Sequence, residues 1–233
     1  MENRIINIGV VAEVAKALKE LKSQMVFVGG SVISLYTDDP AADEIRPTGD
    51  IDMTVKIMGF SNWVTLNERL AQLEIHPDPY GHAIYSYKYQ DIPIDIMPSE
   101  DGPIGPANRW YKIGFEDLQL VTALDEEIQI LPVPCFLATK FEAFKGRGTD
   151  YRTSHDIEDI IYVIDNRIDI VSEIEKSSAE IIQFLQDEIR KIIESGLYEE
   201  ILSSHIHPLI IDVRQTIVEE KINKILAIDF SKT

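Results

Sequence analysis

The sequence contains a single cysteine, Cys135, among its 233 residues. One cysteine excludes an intrachain disulfide and any zinc site built from several cysteines. The chain also lacks an apolar run of the roughly 18 residues that crossing a bilayer requires. Its N-terminus has no basic segment followed by a long apolar stretch, which a signal peptide would need. These absences predict a cytoplasmic protein.

Basic residues are scarce relative to acidic ones. The chain has 22 lysines and arginines against 40 aspartates and glutamates, which gives a formal net charge of −18. Non-specific binding of nucleic acid depends on basic residues that neutralise phosphates, so this composition argues against a general nucleic-acid-binding surface. If RNA is a substrate, we expect a small basic patch and a metal site to hold it. Bound cations could equally recruit a phosphate-rich small substrate.

Several common functional motifs are also missing. We find no Walker loop, dinucleotide-binding fingerprint, Ser-His-Asp arrangement, internal repeat or low-complexity tract. One residue separates His205 from His207, and no further metal ligands lie nearby in the sequence. This pair indicates a helix boundary ahead of Pro208 rather than a metal site.

The hydrophobic pattern predicts an α+β fold, in which a mixed sheet is flanked by helices and followed by an α-helical C-terminal region. We expect residues 1–133 to form the core and residues 134–233 to be helical. The predicted helices of the core cover residues 11–21 and 60–73. The predicted strands cover residues 25–28, 50–57, 83–89, 92–97, 118–124 and 128–131.

Local signals refine this pattern. The strands at residues 83–89 and 92–97 are separated by a short turn, which predicts a hairpin. Pro93 cannot donate to a ladder, so it suggests an edge position or an irregularity there. In the C-terminal region we expect Ser154 to cap a helix, and we expect breaks near Gly196 and Pro208.

Three aspartates are candidates for chemistry. Asp50 and Asp52 lie two apart on a predicted strand and therefore point to the same face. Asp95 lies between two isoleucines, which face the opposite way. At about 4 Å and an effective dielectric constant near 20, one pair of such charges repels by roughly 4 kcal/mol, so protons or cations must relieve them. Alone, Asp95 could be an edge-strand charge that discourages aggregation.

Oxygen ligands of this kind suit Mg²⁺ or Mn²⁺, because both ions favour carboxylates and retain substrate phosphates. Two such ions can stabilise the attacking and leaving oxygens of phosphoryl transfer. The turn Gly29-Gly30-Ser31 follows a predicted strand and can open a short helix, which is an arrangement that favours a phosphate. Arg46 and Thr48 precede the acids and either position a nucleotide or brace the loop.

Together these residues resemble a known signature. Residues 27–53, from Phe-Val-Gly-Gly-Ser through Arg-Pro-Thr-Gly-Asp-Ile-Asp-Met, look like that of the nucleotidyltransferase superfamily. Residues 137–160 resemble one branch of it more closely, the AbiEii/AbiGii toxin-like nucleotidyltransferases of abortive-infection and type IV toxin–antitoxin systems. The resemblance covers roughly residues 10–165. It implies a polymerase-beta-like fold in which residues 134–165 complete the active site.

The resemblance also implies a role for each acid of the core. Asp50 and Asp52 would bind the metal ions, with Asp95 as a third metal-binding acid that assists activation of the attacking hydroxyl. The triphosphate would be held by the turn residues Gly29, Gly30 and Ser31.

Two further residues take roles from the branch. Lys140 resembles a lysine that contacts phosphate, and Asp156 matches the aspartate of the fourth motif beside it, with Asp159 as a second candidate. Without the resemblance, a lysine and an aspartate on consecutive helices are usually a solvated pair worth under about 1 kcal/mol. Lys140 also belongs to a group of basic residues that would either bind nucleic acid or form ion pairs with nearby acids. The other members of this group are Lys145, Arg147 and Arg152.

These observations predict a nucleotidyltransferase that uses Mg²⁺ or Mn²⁺ and an NTP. The resemblance implies tRNA or another RNA as acceptor and a cognate antitoxin as partner. The alternative enzymatic function is nucleotidylation of a small molecule such as an aminoglycoside, since a cationic acceptor suits an acidic chain. The non-enzymatic alternative is a catalytically silent domain that binds a nucleotide or a partner protein.

Overall fold

The computed structural model describes residues 6–42, 46–56, 59–102, 104–148 and 150–229. The chain divides into two compact units. The first comprises Met1–Leu35 and Ile45–Pro132, and the second comprises Tyr36–Glu44 and Val133–Thr233. No helix in the described ranges is long and apolar enough to cross a membrane.

A mixed β-sheet forms the centre of the first unit. In the described residues its strands are β1 Met25–Val28, β2 Ile51–Val55, β3 Ile75–Pro77, β4 Ser86–Tyr89, β5 Ile92–Pro98, β6 Gln119–Ala123 and β7 Glu126–Ile130. Their order across the sheet is β3-β4-β5-β2-β1-β7-β6. The pairs β1–β7 and β2–β5 are parallel and the other neighbours are antiparallel. This mixed sheet, with helices in the same unit, confirms the α+β prediction.

Three α-helices accompany the sheet in the described part of this unit, α1 Ile8–Ala17, α2 Phe60–Gln72 and α3 Arg109–Gly114. The first two were predicted from the spacing of their apolar residues, and α2 buries Trp63, Leu66 and Leu70 at that spacing. Strand β3 and helix α3 were missed. Both are short, at 3 and 6 residues, so neither contains enough turns or alternations to produce a pattern.

Pro93 does not mark an edge strand, because β5 lies between β4 and β2 inside the sheet. The physical reason is the register. Pairing with β2 begins at Ile94, opposite Ile51, so Pro93 has no strand neighbour on that side. Its missing N–H therefore removes no ladder hydrogen bond to β2.

The second unit is helical, as predicted for the C-terminal region. Its helices among the described residues are α4 Val133–Arg147, α5 His155–Asn166, α6 Ile170–Glu175, α7 Ala179–Glu194, α8 Tyr198–His205 and α9 Ile211–Leu226. Ser154 caps α5, since its hydroxyl accepts hydrogen bonds from the backbone of Asp156 and Ile157. The breaks near Gly196 and Pro208 are confirmed. A further break, at Ser178, was not predicted.

A buried polar network holds the second unit together. Arg214 of α9 is 8% exposed, and its guanidinium donates to Asp165 at 2.8 and 2.9 Å, to Asp39 at 2.7 Å and to Asn166 at 2.8 Å. Lys221, further along α9, donates to three backbone carbonyls at the end of α5. Burial raises the pKa of Asp165, and Arg214 opposes that rise. These contacts attach the segment around Asp39 to the helices of this unit.

Replacing Arg214 by alanine should destabilise the protein by about 3–5 kcal/mol, because it leaves the buried carboxylate of Asp165 without its cation. Chemical denaturation at pH 7 measures this loss. The deficit should shrink at acidic pH, where Asp165 can be protonated. Arg190→Ala is the matched control, since Arg190 makes an exposed ion pair with Asp187. An equal effect of the two substitutions would contradict the importance of the network.

Candidate active site

A row of residues crosses four neighbouring strands of the first unit. Val28 of β1 lies opposite Asp52 of β2, Asp52 lies beside Asp95 of β5, and Asp95 lies opposite Ser86 of β4. Side chains that are direct neighbours across strands share one face of a sheet. The register therefore aligns two carboxylates on adjacent strands in the interior of the sheet.

A third carboxylate joins them from the chain just before β2. Asp50 immediately precedes the strand, which begins at Ile51 rather than at Asp50. Ligand oxygens of Asp50, Asp52 and Asp95 all lie within 4.8 Å of one another. Asp50 and Asp52 are half-buried, and Asp95 is 7% exposed. The structure thus brings the three predicted acids to one place.

The electrostatics of this place are unfavourable for a third negative charge. Burial raises the pKa of Asp95, and the charge of Asp50 raises it further, while Ser86 and His82 lower it. Ser86 lies opposite Asp95, although its Oγ makes no hydrogen bond of ordinary geometry within the described residues. A divalent cation would relieve the repulsion directly. The donor set fits Mg²⁺ or Mn²⁺, because it consists of carboxylate oxygens.

Gly29 is required by the geometry of Asp52. Its φ of +73° is a left-handed conformation, and a Cβ at this position would lie 2.0 Å from Asp52 Oδ2 and 2.8 Å from its Cβ. No side chain fits in that space. The backbone at the end of β1 therefore touches the acid of β2, which places the Gly29-Gly30-Ser31 turn beside the carboxylates.

Ser31 lies in a 3₁₀ helix, Gly30–Tyr36, where a short helix was predicted. Its side chain is buried, with 7% of the residue exposed, and its hydroxyl has no hydrogen-bond partner in the described part of the chain. A buried hydroxyl without a partner costs about 1–3 kcal/mol. A ligand oxygen that reached Ser31 would remove that cost.

The loop before the acids is braced by its own backbone. The Thr48 hydroxyl donates to the carbonyl of Asp50 at 3.3 Å, and the Thr48 carbonyl accepts from Ile6 at 3.4 Å. Arg46 donates to the Pro47 carbonyl at 3.5 Å. The contact of Thr48 supports the bracing role for that residue. Binding of a nucleotide by Arg46 or Thr48 stays a prediction.

Sequence reasoning missed His82, whose Nε2 lies 3.2 Å from Asp95 Oδ2. His82 lies before the hairpin that places Ser86, and the loop that contains His82 carries no motif. Ser86 could have been found, because the hairpin with its turn at residues 90–91 places Ser86 opposite Asp95. The path of the loop before β4 decides the position of His82, and no local pattern predicts that path.

Lys140 is buried, so the interpretation of Lys140 and an aspartate as a solvated pair is wrong. Lys140 is 8% exposed in α4, and its ammonium lies 2.5 Å from Asp159 Oδ2 and 3.9 Å from Asp156 Oδ1. Arg147 also donates to Asp156. The reason is packing, since α4 and α5 bury the charges of Lys140, Asp156 and Asp159, while Arg147 reaches Asp156 from the exposed side. Asp159 is the nearer acid to Lys140, and contact with phosphate stays a prediction.

The other candidate basic residues are also paired with acids. Lys145 lies 3.6 Å from Glu142 and 3.7 Å from Glu188, and Arg152 lies 2.8 Å from an oxygen of Asp150. This pairing supports the alternative that they are partners for nearby acids. An RNA-binding role of the group stays untested.

His205 is the last residue of α8, and His207 lies just beyond it. His205 Nε2 lies 2.7 Å from the carbonyl of Tyr151, and His207 Nδ1 accepts from the backbone of Leu209 at 3.2 Å. These contacts fit the predicted helix boundary.

Replacing Asp95 by asparagine should raise the melting temperature in EDTA at pH 8. The raised pKa means that stability is greatest while Asp95 is protonated and falls as pH rises through the folded-state pKa. A permanently neutral side chain removes that loss, at about 2–4 °C per kcal/mol for a chain of this size. Mn²⁺ should then stabilise the wild type more than the variant. Asp91→Asn, in the exposed turn of the same hairpin, is the control. A lower melting temperature for Asp95→Asn in EDTA would contradict the electrostatic account.

Gly29→Ala should weaken Mn²⁺ binding at least about 10-fold, because the added methyl displaces the carboxylate of Asp52. Isothermal titration calorimetry measures the affinity. Gly196→Ala is a matched control, since Gly196 has a φ of +75° and a methyl group added there would meet no atom within 4 Å. It therefore carries the same backbone strain without the collision. Equal Mn²⁺ affinities for the two variants would refute the role of Gly29.

Comparison with known proteins adds little to this geometry. No family model and no curated protein matches the chain. One solved structure that resembles it is an antigenic nucleotidyltransferase-like protein from Paracoccidioides brasiliensis. The two are 18% identical, the match covers 83% of this chain and 91% of that chain, and the TM-score is 0.48. A TM-score below 0.5 carries no argument about family or activity.

Proposed function

We propose that this protein is a metal-dependent nucleotidyltransferase that moves a nucleoside monophosphate from an NTP to an acceptor hydroxyl. The observation that carries the proposal is the meeting of Asp50, Asp52 and Asp95 within 4.8 Å, directly beside the backbone of Gly29. A dicarboxylate metal site next to a glycine turn is what binding of a metal-bound triphosphate requires.

The reaction needs positioning and charge neutralisation more than covalent chemistry from the protein. A bond forms between the acceptor oxygen and the α-phosphorus, the bond from that phosphorus to the β-phosphate bridging oxygen breaks, and pyrophosphate leaves. Asp50 and Asp52 would hold Mg²⁺ or Mn²⁺, which supplies positive charge to the reacting oxygens. Asp95, whose pKa burial raises, is suited to orient the acceptor hydroxyl and receive its proton.

The triphosphate would lie against the Gly29-Gly30-Ser31 turn. The left-handed Gly29 leaves its backbone open to close approach. Ser31 contributes a buried hydroxyl that has no partner among the described residues. Both features suit a phosphate oxygen. Lys140 and Asp156 enter the proposal only through the sequence resemblance, as a phosphate contact and its neighbouring acid.

For the acceptor we propose RNA, with tRNA first, because residues 137–160 resemble the toxin-like branch. A cognate antitoxin is part of the same proposal. The second candidate acceptor is a small cationic molecule such as an aminoglycoside. The net charge of −18 favours it, since an acidic surface attracts a polycation and repels a polyanion.

The test is incubation of the purified protein with each labelled NTP and Mg²⁺ against total RNA, cell protein and aminoglycosides. Asp50→Ala and Asp52→Ala should reduce labelling by at least about 100-fold, because each removes a ligand for the ion that neutralises the reacting phosphate. Asp91→Ala, which removes an exposed carboxylate from the turn between β4 and β5, should leave labelling unchanged.

The acceptor that carries the label separates the candidates. Label on RNA supports the first acceptor, and label on an aminoglycoside supports the second. Labelling that survives in the Asp50 and Asp52 variants would refute the site. Measurable binding of Mg-NTP without any labelling would instead indicate a silent nucleotide-binding domain.

A further inference from the structure

The loop that precedes β4 is anchored by its own hydrogen bonds. The backbone of Asp78 donates to the Ser86 carbonyl at 2.9 Å, Gly81 donates to the Asp78 carbonyl at 3.0 Å, and Ser86 donates to the Ala83 carbonyl at 3.1 Å. The Asp78 carboxylate accepts from the backbone of Tyr80 at 3.0 Å. These bonds tie the loop, residues 78–85, to the start of β4.

Gly81 allows this loop to lie against the row of the acids. A Cβ at Gly81 would lie 2.3 Å from the Cβ of Ser86 and 3.2 Å from the Asp78 carbonyl oxygen. Ser86 is itself the cross-strand neighbour of Asp95. The backbone at Gly81 therefore packs on the strand position beside the third acid, and the next residue in the chain is His82.

His82 reaches the third acid from solvent. Its Nε2 lies 3.2 Å from Asp95 Oδ2, while 69% of the His82 side chain and 10% of the Asp95 side chain are exposed. The ring of Tyr85 stands edge-on to the imidazole with a centroid distance of 6.1 Å. One oxygen of Asp95 thus faces a ring nitrogen that a neighbouring aromatic side chain helps to orient.

We propose that His82 is a positioning residue, which fixes the orientation of the Asp95 carboxylate for metal binding and for the acceptor hydroxyl. The inference rests on the proposed function and deepens it, since it adds a residue that acts through the third acid. Without His82, the side chain within reach of Asp95 on the hairpin is Ser86, which makes no hydrogen bond of ordinary geometry in the described residues. A contact from His82 to one oxygen restricts rotation of the Asp95 carboxylate. A carboxylate that is already oriented loses less rotational freedom when it binds a metal ion.

The first measurement is Mn²⁺ affinity by calorimetry, which requires no turnover. His82→Ala should weaken Mn²⁺ binding by about 10-fold or more, as loss of a partner of a metal ligand commonly does. His82→Gln should restore most of the affinity, because its amide can still donate to Asp95. His76→Ala is the control, since His76 is an exposed histidine of β3 that contacts only Glu74 in the described ion pairs.

The second measurement is a double-mutant cycle with Asp95→Ala, which removes both oxygens that His82 could contact. If His82 acts through Asp95, His82→Ala should cause no further loss of Mn²⁺ affinity in the Asp95→Ala background. In the transfer assay, His82→Ala should lower kcat while the KM for the NTP stays unchanged.

Gly81→Ala, which displaces the loop, should reproduce the loss of Mn²⁺ affinity. Thermal unfolding should show that every variant is folded.

These outcomes separate the inference from the proposed function. If the protein binds Mn²⁺ with the expected dependence on His82 but labels no acceptor, the proposed function fails and the positioning role stands. If His82→Ala binds Mn²⁺ as the wild type does, the positioning role is overturned. The same holds if the loss is equal in the Asp95→Ala background, or if the wild type binds no Mn²⁺.

Discussion

The repulsion among three carboxylates is the constraint on which the candidate site depends. Asp52 and Asp95 occupy neighbouring interior strands, and Asp50 adds its charge from the end of β2. Such a group is held in place by the rigid sheet and is relieved by a cation or a proton. The raised pKa of Asp95 expresses the same strain. The fold therefore maintains an arrangement that its own electrostatics oppose, which is typical of a functional site.

Two close backbone contacts make this arrangement possible. Gly29 removes a side chain where Asp52 must lie, and Gly81 removes one where the loop meets Ser86. Gly29 directly follows β1, and Gly81 lies in the loop between β3 and β4. The candidate acids thus lie on rigid strands or directly before one, while the residues that surround them come from turns. His82 is one of the residues that come from turns, so the path of the loop decides its position and the sheet does not.

The helical unit meets a similar electrostatic demand by other means. There the buried acids Asp159 and Asp165 have permanent cations of the protein itself, Lys140 and Arg214. In the sheet, the buried acid Asp95 faces an exposed imidazole, that of His82, rather than a buried lysine or arginine. The charge of Asp50 also raises the pKa of Asp95. The contrast favours an external cation for the acid cluster and structural ion pairs for the helices.

The sequence by itself determined the α+β class, the order of the long elements and the candidate acids, because periodicity, caps and short motifs are local properties. Hairpin symmetry was sufficient to place Ser86 opposite Asp95, although that prediction was not made. Only the tertiary structure decided that Pro93 lies in an interior strand, that Lys140 is buried and that His82 reaches the third acid. Strand order, helix packing and loop path depend on contacts between residues far apart in the chain, and no window of sequence contains them.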